Sequence, residues 1–286
     1  MMETEVVGVI GAGTMGNGIA QVMAAAGLDV VLNDINDAAV EKGLAAVGTS
    51  LQRLVSREKM TQAASAETLQ RIKPTTRLED LAACDLVVEA ATENVQLKLK
   101  IFADLDNIAR PEAILASNTS SISLTRIAGA TKRPAQVIGM HFFNPVPVMQ
   151  LVELIRALQT SDATYETVKA LAQKIGKTPV EVRNSPGFVA NRILLPMLNE
   201  AVFCLQERLA SPADIDQVMK LGMAHPIGPL ALADLIGLDT CLAILEVLYE
   251  GFKDPKYRPC PLWREKVEAG HLGRKTGHGF FDYARK

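Results

Sequence analysis

The chain has 286 residues, enough for about two domains. Apolar residues make up 48% and charged residues 22%, a balance that excludes disordered, collagenous and disulfide-stapled classes. Thirty Lys and Arg against 32 Asp and Glu give a formal net charge of -2, so the surface as a whole is not built for nucleic acid.

The longest uncharged run, Val6 to Leu28, holds six glycines together with Thr14, Asn17 and Gln21, too polar and broken for a membrane span. Glu3 and Glu5 precede it and no Lys or Arg occurs before Lys42, which lacks the basic start of a targeting segment and leads to an expected cytoplasmic location. Cys84, Cys204, Cys241 and Cys260 are far apart with no CxxC, so neither zinc nor a disulfide framework is expected.

Short β-branched runs at 5–10, 29–33, 86–89, 113–116 and 137–140 alternate with helical stretches, the pattern of parallel βαβ units. Between the second and third, residues 38–76 are rich in helix formers and close at Pro74; they read as a pair of helices projecting from the sheet. Residues 50–77 carry Arg53, Arg57, Lys59, Arg71, Lys73 and Arg77 against Glu58 and Glu67, a local surplus suited to an anionic ligand. Beyond residue 155 the chain reads as a helix at 162–175, a short strand at 179–182 and a break at Asn184-Ser185-Pro186-Gly187. Helices then follow at 188–207, 211–221, 229–236 and 239–251. The expected fold is α/β, a Rossmann-type sheet domain (1–184) with a helical-hairpin insert, followed by an all-α domain (185–286). Ile193, Pro196, Met197, Val202 and Leu205 give the first of the later helices a broad apolar face of the kind that pairs subunits.

Gly11-Ala12-Gly13-Thr14-Met15-Gly16 follows the first strand where a helix should begin, the context of a dinucleotide fingerprint. Gly11 allows the tight turn, Gly13 the approach of a pyrophosphate and Gly16 the packing of helix on strand, while the helix N-terminus attracts phosphate. The second strand ends at Asp34, whose carboxylate suits ribose hydroxyls and would repel a 2′-phosphate, favouring NAD over NADP. A glycine turn that binds nothing and an FAD site are the competing readings.

His141 follows the fifth strand, at the edge where ligands gather in open α/β sheets. Pro145 and Pro147 favour a turn, and a chain folding back symmetrically about Pro147 sets His141 opposite Glu153. Such a carboxylate fixes the imidazole tautomer and leaves the other ring nitrogen to take a proton from an alcohol. A structural histidine beside an unrelated edge glutamate is the alternative. His225, His271 and His278 have no such partner in the sequence. Ser117, Asn118, Thr119 and Ser120 follow the fourth strand at the same edge, where they serve either to bind a carbonyl oxygen or to cap the next helix. Asn191 either reaches the crevice from the later helical domain or is an ordinary first-turn helix residue.

The motifs Gly11 to Gly16, Glu89 to Glu93, Ser117-Asn118-Thr119-Ser120-Ser121, His141-Phe142-Phe143-Asn144-Pro145, Ser185-Pro186-Gly187-Phe188 and Gly273 to Phe280 together resemble the L-3-hydroxyacyl-CoA dehydrogenase family over essentially the whole chain. The length is similar to the single-function bacterial type acting on short chains such as 3-hydroxybutyryl-CoA. The resemblance implies NAD-dependent hydride transfer at C3 of a 3-hydroxyacyl-CoA. It implies His141 as general base, Glu153 as its orienting partner, and Ser117 and Asn191 as hydrogen-bonding the substrate oxygen and the histidine. Around NAD it implies Gly11, Gly13, Thr14, Met15, Gly16, Asp34, Glu93, Lys98, Ser117, Asn144 and Lys275. It further implies CoA phosphates near Ser50, Arg53 and Arg57, no metal, and a homodimer through the C-terminal helical domain. A dehydrogenase of a free hydroxy acid or sugar acid, as in the gulonate dehydrogenase and lambda-crystallin relatives, and a non-catalytic NAD-binding protein are the alternatives.

Overall fold

The apolar run at the start of the chain forms β1 (Val6–Ile10), buried from Val7 onward, and Gly11 ends it at φ 93°, a backbone region that L side chains rarely adopt. The computed structural model describes residues 4–284 and divides into two units, Met1–Asn184 and Ser185–Lys286.

In the first unit β1 is followed by α1 (Thr14–Ala25), β2 (Asp29–Asn33), α2 (Asp37–Ser56), α3 (Gln62–Gln70), β3 (Ile72–Thr75), β4 (Leu86–Glu89), α4 (Val95–Ile108), β5 (Ile114–Ser117), α5 (Leu124–Ala128), β6 (Val137–Phe142), β7 (Leu151–Arg156), α6 (Asp162–Lys174) and β8 (Thr178–Arg183). The eight strands form one sheet in the order β3-β2-β1-β4-β5-β6-β7-β8. Every neighbouring pair is parallel except β6 and β7, which are antiparallel. Strand order reverses between β1 and β4, the switch point where open α/β sheets bind ligands at their carboxyl edge.

The helical pair does not simply project. Asn36 caps α2 by accepting from the Ala39 N–H, and Thr61 caps α3 by accepting from the Ala64 N–H. Val40, Val47 and Leu51 of α2 are buried, with Val47 and Leu51 in the core shared with α1 and the sheet. Each such side chain contributes about 1.5–3 kcal/mol by leaving water. The chain then returns through β3, an edge strand hidden from sequence reading by Pro74. That proline sits opposite Leu32, and an edge position tolerates a residue with no N–H to donate.

The second unit comprises α7 (Ala190–Gln206), α8 (Pro212–Gly222), α9 (Pro229–Ile236), α10 (Leu238–Phe252) and α11 (Pro261–Glu268). Leu195, Leu198, Val202, Leu230, Leu245 and Trp263 are buried in its core. The Trp263 indole donates to Asn199 Oδ1 at 3.0 Å, which satisfies the one polar atom of that ring. Asp234, 1% exposed, accepts from the Phe280 and Phe281 N–H groups and from the Tyr283 hydroxyl, so the last residues before 284 are fastened to α9. Helix α11 was not expected from the sequence, although Pro261 at its first turn is a start signal. All four cysteines are free thiols. Among the described residues no helix is long and apolar enough to cross a membrane, and no group of side chains is arranged to hold a metal ion.

Candidate active site

Parallel register fixes what the carboxyl edge of the sheet carries. Ile10 pairs with Glu89, Glu89 with Ser117, and Ser117 with Gly139. These positions share one face of the sheet, because paired residues point the same way and side chains alternate along each strand. Strand β6 runs past this row, placing His141 two residues further on.

The return of the chain is set by the Val148 and Met149 N–H groups, both donating to the Pro145 carbonyl, after a cis Asn144–Pro145 peptide bond. The buried Lys177 ammonium donates to the Val146 and Met149 carbonyls at 2.5 and 2.7 Å, closing the turn from the other side. Strand β7 consequently aligns Glu153 with His141. Nδ1 of His141 lies 2.8 Å from Glu153 Oε2, with side chains 9% and 3% exposed. A carboxylate only accepts, so a proton belongs on Nδ1, and in the neutral imidazole the lone pair is then on Nε2. Phe143 covers the imidazole with ring centroids 4.6 Å apart.

Beside this pair lies a buried polar network that joins Glu93, Lys98 and Ser117, all expected near NAD, through Glu89, to which the sequence assigns no role of its own. Glu89, 0% exposed, receives the Lys98 ammonium at 2.6 Å, the Ala91 N–H at 2.7 Å and the Ser117 hydroxyl at 2.7 Å. Lys98 also reaches Glu93 at 3.4 Å. One Glu93 oxygen accepts from the Thr119 hydroxyl, the Ser120 and Ser121 N–H groups and the Ser121 hydroxyl, so it gathers the whole segment after β5. Burial pushes the Glu93 carboxyl up, but Lys98 and these donors outweigh it and hold it below the ordinary carboxylate value. The available signal was weak: a glutamate ending an apolar strand, with a lysine nine residues on. Asn118 spends its side-chain oxygen on the Phe142 N–H at 2.9 Å, tying β5 to β6. The cap of the next helix is Ser123, so Ser117 to Ser120 do not perform that task.

The glycine fingerprint has the form a dinucleotide needs. A Cβ on Gly16 would run into the Gly11 carbonyl oxygen, whereas one on the exposed Gly13 would meet nothing within 4 Å, leaving that approach open. Thr14 and Met15 begin α1, and no side chain caps its N-terminus. Asp34 accepts from the Ala12 N–H and from its neighbour Ile35 N–H, both at 2.7 Å, so its carboxylate is fixed beside the turn. These groups fit a pyrophosphate at the helix start and a ribose beside Asp34.

Ser50, Arg53 and Arg57 lie along one side of the end of α2, Ser50 half-buried and both arginines exposed. Asn144 is exposed in the turn after β6. In the second unit Asn191 is half-buried in the first turn of α7, and Lys275 binds both oxygens of Asp239 at 2.6 and 2.7 Å. His278, read as partnerless, faces Asp282 at 3.5 Å in an exposed pair.

Sheet, switch point and fingerprint define a dinucleotide-binding protein of the Rossmann class, and the carboxylate of Asp34 suits NAD. The family model described as 3-hydroxyacyl-CoA dehydrogenase, NAD binding domain, matches residues 6–185, and that for the C-terminal domain matches residues 187–283. The chain belongs to the 3-hydroxyacyl-CoA dehydrogenase family. It is 58% identical to the probable 3-hydroxybutyryl-CoA dehydrogenase of Deinococcus radiodurans, covering 96% of this chain and 99% of that one. It is 55% identical to the 3-hydroxybutyryl-CoA dehydrogenase of Bradyrhizobium diazoefficiens, covering 97% and 94% respectively. Among solved structures it is similar to that of (S)-3-hydroxybutyryl-CoA dehydrogenase PaaH1 from Ralstonia eutropha. The TM-score is 0.96 at 61% identity, over 99% of this chain and 100% of the other.

Proposed function

We propose that this protein interconverts (S)-3-hydroxybutyryl-CoA and acetoacetyl-CoA, with His141 and Glu153 as its acid–base pair. The observation that carries the reading is the buried 2.8 Å contact between His141 and Glu153 at the carboxyl edge of an NAD-binding sheet. The chemistry supplied by bound NAD is acceptance and return of the hydride on C3. His141 Nε2 takes the hydroxyl proton as the hydride departs and gives it back in reduction, while Glu153 holds Nδ1–H and stabilises the imidazolium. By family resemblance Ser117, at the end of β5, belongs to the site beside the substrate oxygen. By family resemblance Asn191 adds a contact to the substrate oxygen and the imidazole, and Lys275 one to NAD, as do Glu93, Lys98 and Asn144.

The first unit binds NAD in this reading, and the second serves substrate and dimer formation. Ser50, Arg53 and Arg57 meet the CoA phosphates, for which two exposed guanidinium groups on one helix face are suited. The exposed Ile193, Leu209, Val218 and Leu221 of the second unit support a homodimer. A species of monomer mass alone in size-exclusion chromatography with light scattering would overturn that assignment. The cytoplasm is the location that suits a reaction dependent on free NAD and CoA thioesters.

The test is NADH consumption with acetoacetyl-CoA, beside free acetoacetate and beside NADPH. Turnover confined to the thioester with NADH is expected. Turnover of the free acid alone would move the assignment to a hydroxy-acid dehydrogenase.

A further inference from the structure

The pairing of β5 with β6 stops at Ser117 and Gly139, yet β6 runs on to Phe142. On the β5 side that last stretch is held by a side chain, because the Phe142 N–H donates to Asn118 Oδ1 at 2.9 Å. The Asn118 N–H donates in turn to the Glu89 carbonyl, so the residue is tied to β4 as well. A backbone N–H can only donate, so the atom it meets is the amide oxygen, and this fixes which way the amide is turned. Among the described residues Nδ2 then meets no acceptor, and it is not one of the buried polar atoms left without a partner, which are Arg110 Nε and Gln159 Oε1. Half-buried Asn118 therefore holds its NH2 group open to solvent at the carboxyl edge of the sheet.

Neighbouring donors are already spent inside the protein. Ser117 gives its hydroxyl proton to Glu89, and Thr119 gives its own to Glu93. The Lys98 ammonium is shared among Glu89, the Ala91 carbonyl and Glu93. We propose that Asn118 is a substrate-binding residue whose NH2 group donates to the C3 oxygen of a 3-oxoacyl thioester. The inference rests on the proposed function, which sets that oxygen at His141, and Asn118 is fastened to the residue that follows His141. The protons balance: a 3-hydroxy substrate gives its one hydroxyl proton to His141 Nε2, and its oxygen keeps a lone pair for Asn118 before and after the transfer. As a hydride reaches C3 in the reducing direction this oxygen gains negative charge, and a donor already fixed in place stabilises it without reorganisation.

The experiment is calorimetric binding of acetoacetyl-CoA and of butyryl-CoA to the protein saturated with NAD⁺, where neither thioester is oxidised by hydride loss at a C3 hydroxyl. Butyryl-CoA carries the same thioester and CoA but no C3 oxygen. Asn118→Asp keeps an oxygen for the Phe142 N–H and removes the outward donor, and Asn118→Ala removes the donor without adding a charge. Both variants should weaken acetoacetyl-CoA about tenfold while leaving butyryl-CoA within about twofold of wild type. Hydrogen exchange of the Phe142 amide should stay slow in Asn118→Asp and quicken in Asn118→Ala, which separates the tie to β6 from the contact with substrate.

Equal weakening of both thioesters, or acetoacetyl-CoA binding that matches wild type, would overturn the proposal. A selective loss in Asn118→Asp that is missing from Asn118→Ala also overturns it, since the new charge alone would then be responsible. Weakened binding of NADH in the absence of any thioester, with both thioesters unaffected, overturns it too by seating the amide against the cofactor. If Asn118→Asp does not fold, Asn118→Ala decides by the same criterion. Wild type that neither binds nor reduces acetoacetyl-CoA would instead defeat the function reading, and this inference with it.

Discussion

Replacing Glu153 by Gln removes a charge while keeping an oxygen to hold the imidazole tautomer. The contact to His141 is 2.8 Å and both side chains are almost fully buried, so neither water nor salt screens it. A hydrogen bond to a charged group contributes about 1.5–3 kcal/mol. The imidazolium exists only once the substrate proton has arrived, so this stabilisation falls on the transition state and on the charged state that follows it. The loss should therefore appear in kcat, as a reduction of about 10- to 150-fold with KM little changed. Glu153→Ala also releases the tautomer and should cost more. The assay is NAD⁺ reduction by (S)-3-hydroxybutyryl-CoA, the direction in which His141 receives the proton, with circular dichroism confirming that each variant folds. In a His141→Ala background Glu153→Gln should have almost no further effect, because the two side chains act as one unit. Glu153→Gln activity within about twofold of wild type, a difference too small for a charged hydrogen bond, would refute the pairing. A full additional loss in the His141→Ala background would refute it equally.

Gly13→Ala adds a methyl group that meets nothing within 4 Å, so it should melt like wild type yet bind NADH weakly; unchanged NADH affinity by fluorescence titration would remove Gly13 from the pyrophosphate site. Gly16→Ala drives Cβ into the Gly11 carbonyl and should lower thermal stability itself, which a melting curve equal to wild type would contradict. Arg53→Ala/Arg57→Ala should raise KM for acetoacetyl-CoA about tenfold at low salt and flatten its salt dependence; an undiminished salt dependence would place the CoA phosphates elsewhere. For Glu93, a folded-state carboxyl below its ordinary value contributes stability present above the ordinary carboxylate range and lost as pH falls through the folded value. Glu93→Gln should thus be destabilising near neutral pH, with the gap to wild type closing in acid. Urea unfolding curves showing the same gap at every pH would exclude this.

The parts of the fold legible in the sequence were those written in local pattern. Strands β2 and β4 have the bounds expected around their apolar runs, 29–33 and 86–89, and α9 lies between a proline and a glycine. Strand β3 was not legible, because Ile-Lys-Pro-Thr has neither alternation nor length and becomes a strand only by pairing with the edge of β2. The helical insert was recognisable by composition, but which of its faces is buried depends on α1 and the sheet beneath it.

The buried carboxylates Glu153 and Glu89 show where sequence reasoning gains and loses its hold. Glu153 is found from a turn: the pairing of residues 141 and 153 follows once the chain reverses near Pro147, since an antiparallel hairpin converts sequence spacing into register. Glu89 offers no such arithmetic. Its partner Ser117 is 28 residues away on a parallel strand, and the register of parallel strands is set by how an intervening helix packs. Nothing local distinguishes Glu89 from a glutamate that ends a strand in solvent. Only burial forces the distinction, because a carboxylate with no exposed surface has to find donors for both oxygens. Those donors, Lys98, the Ala91 N–H and the Ser117 hydroxyl, are the ones that connect it to the site.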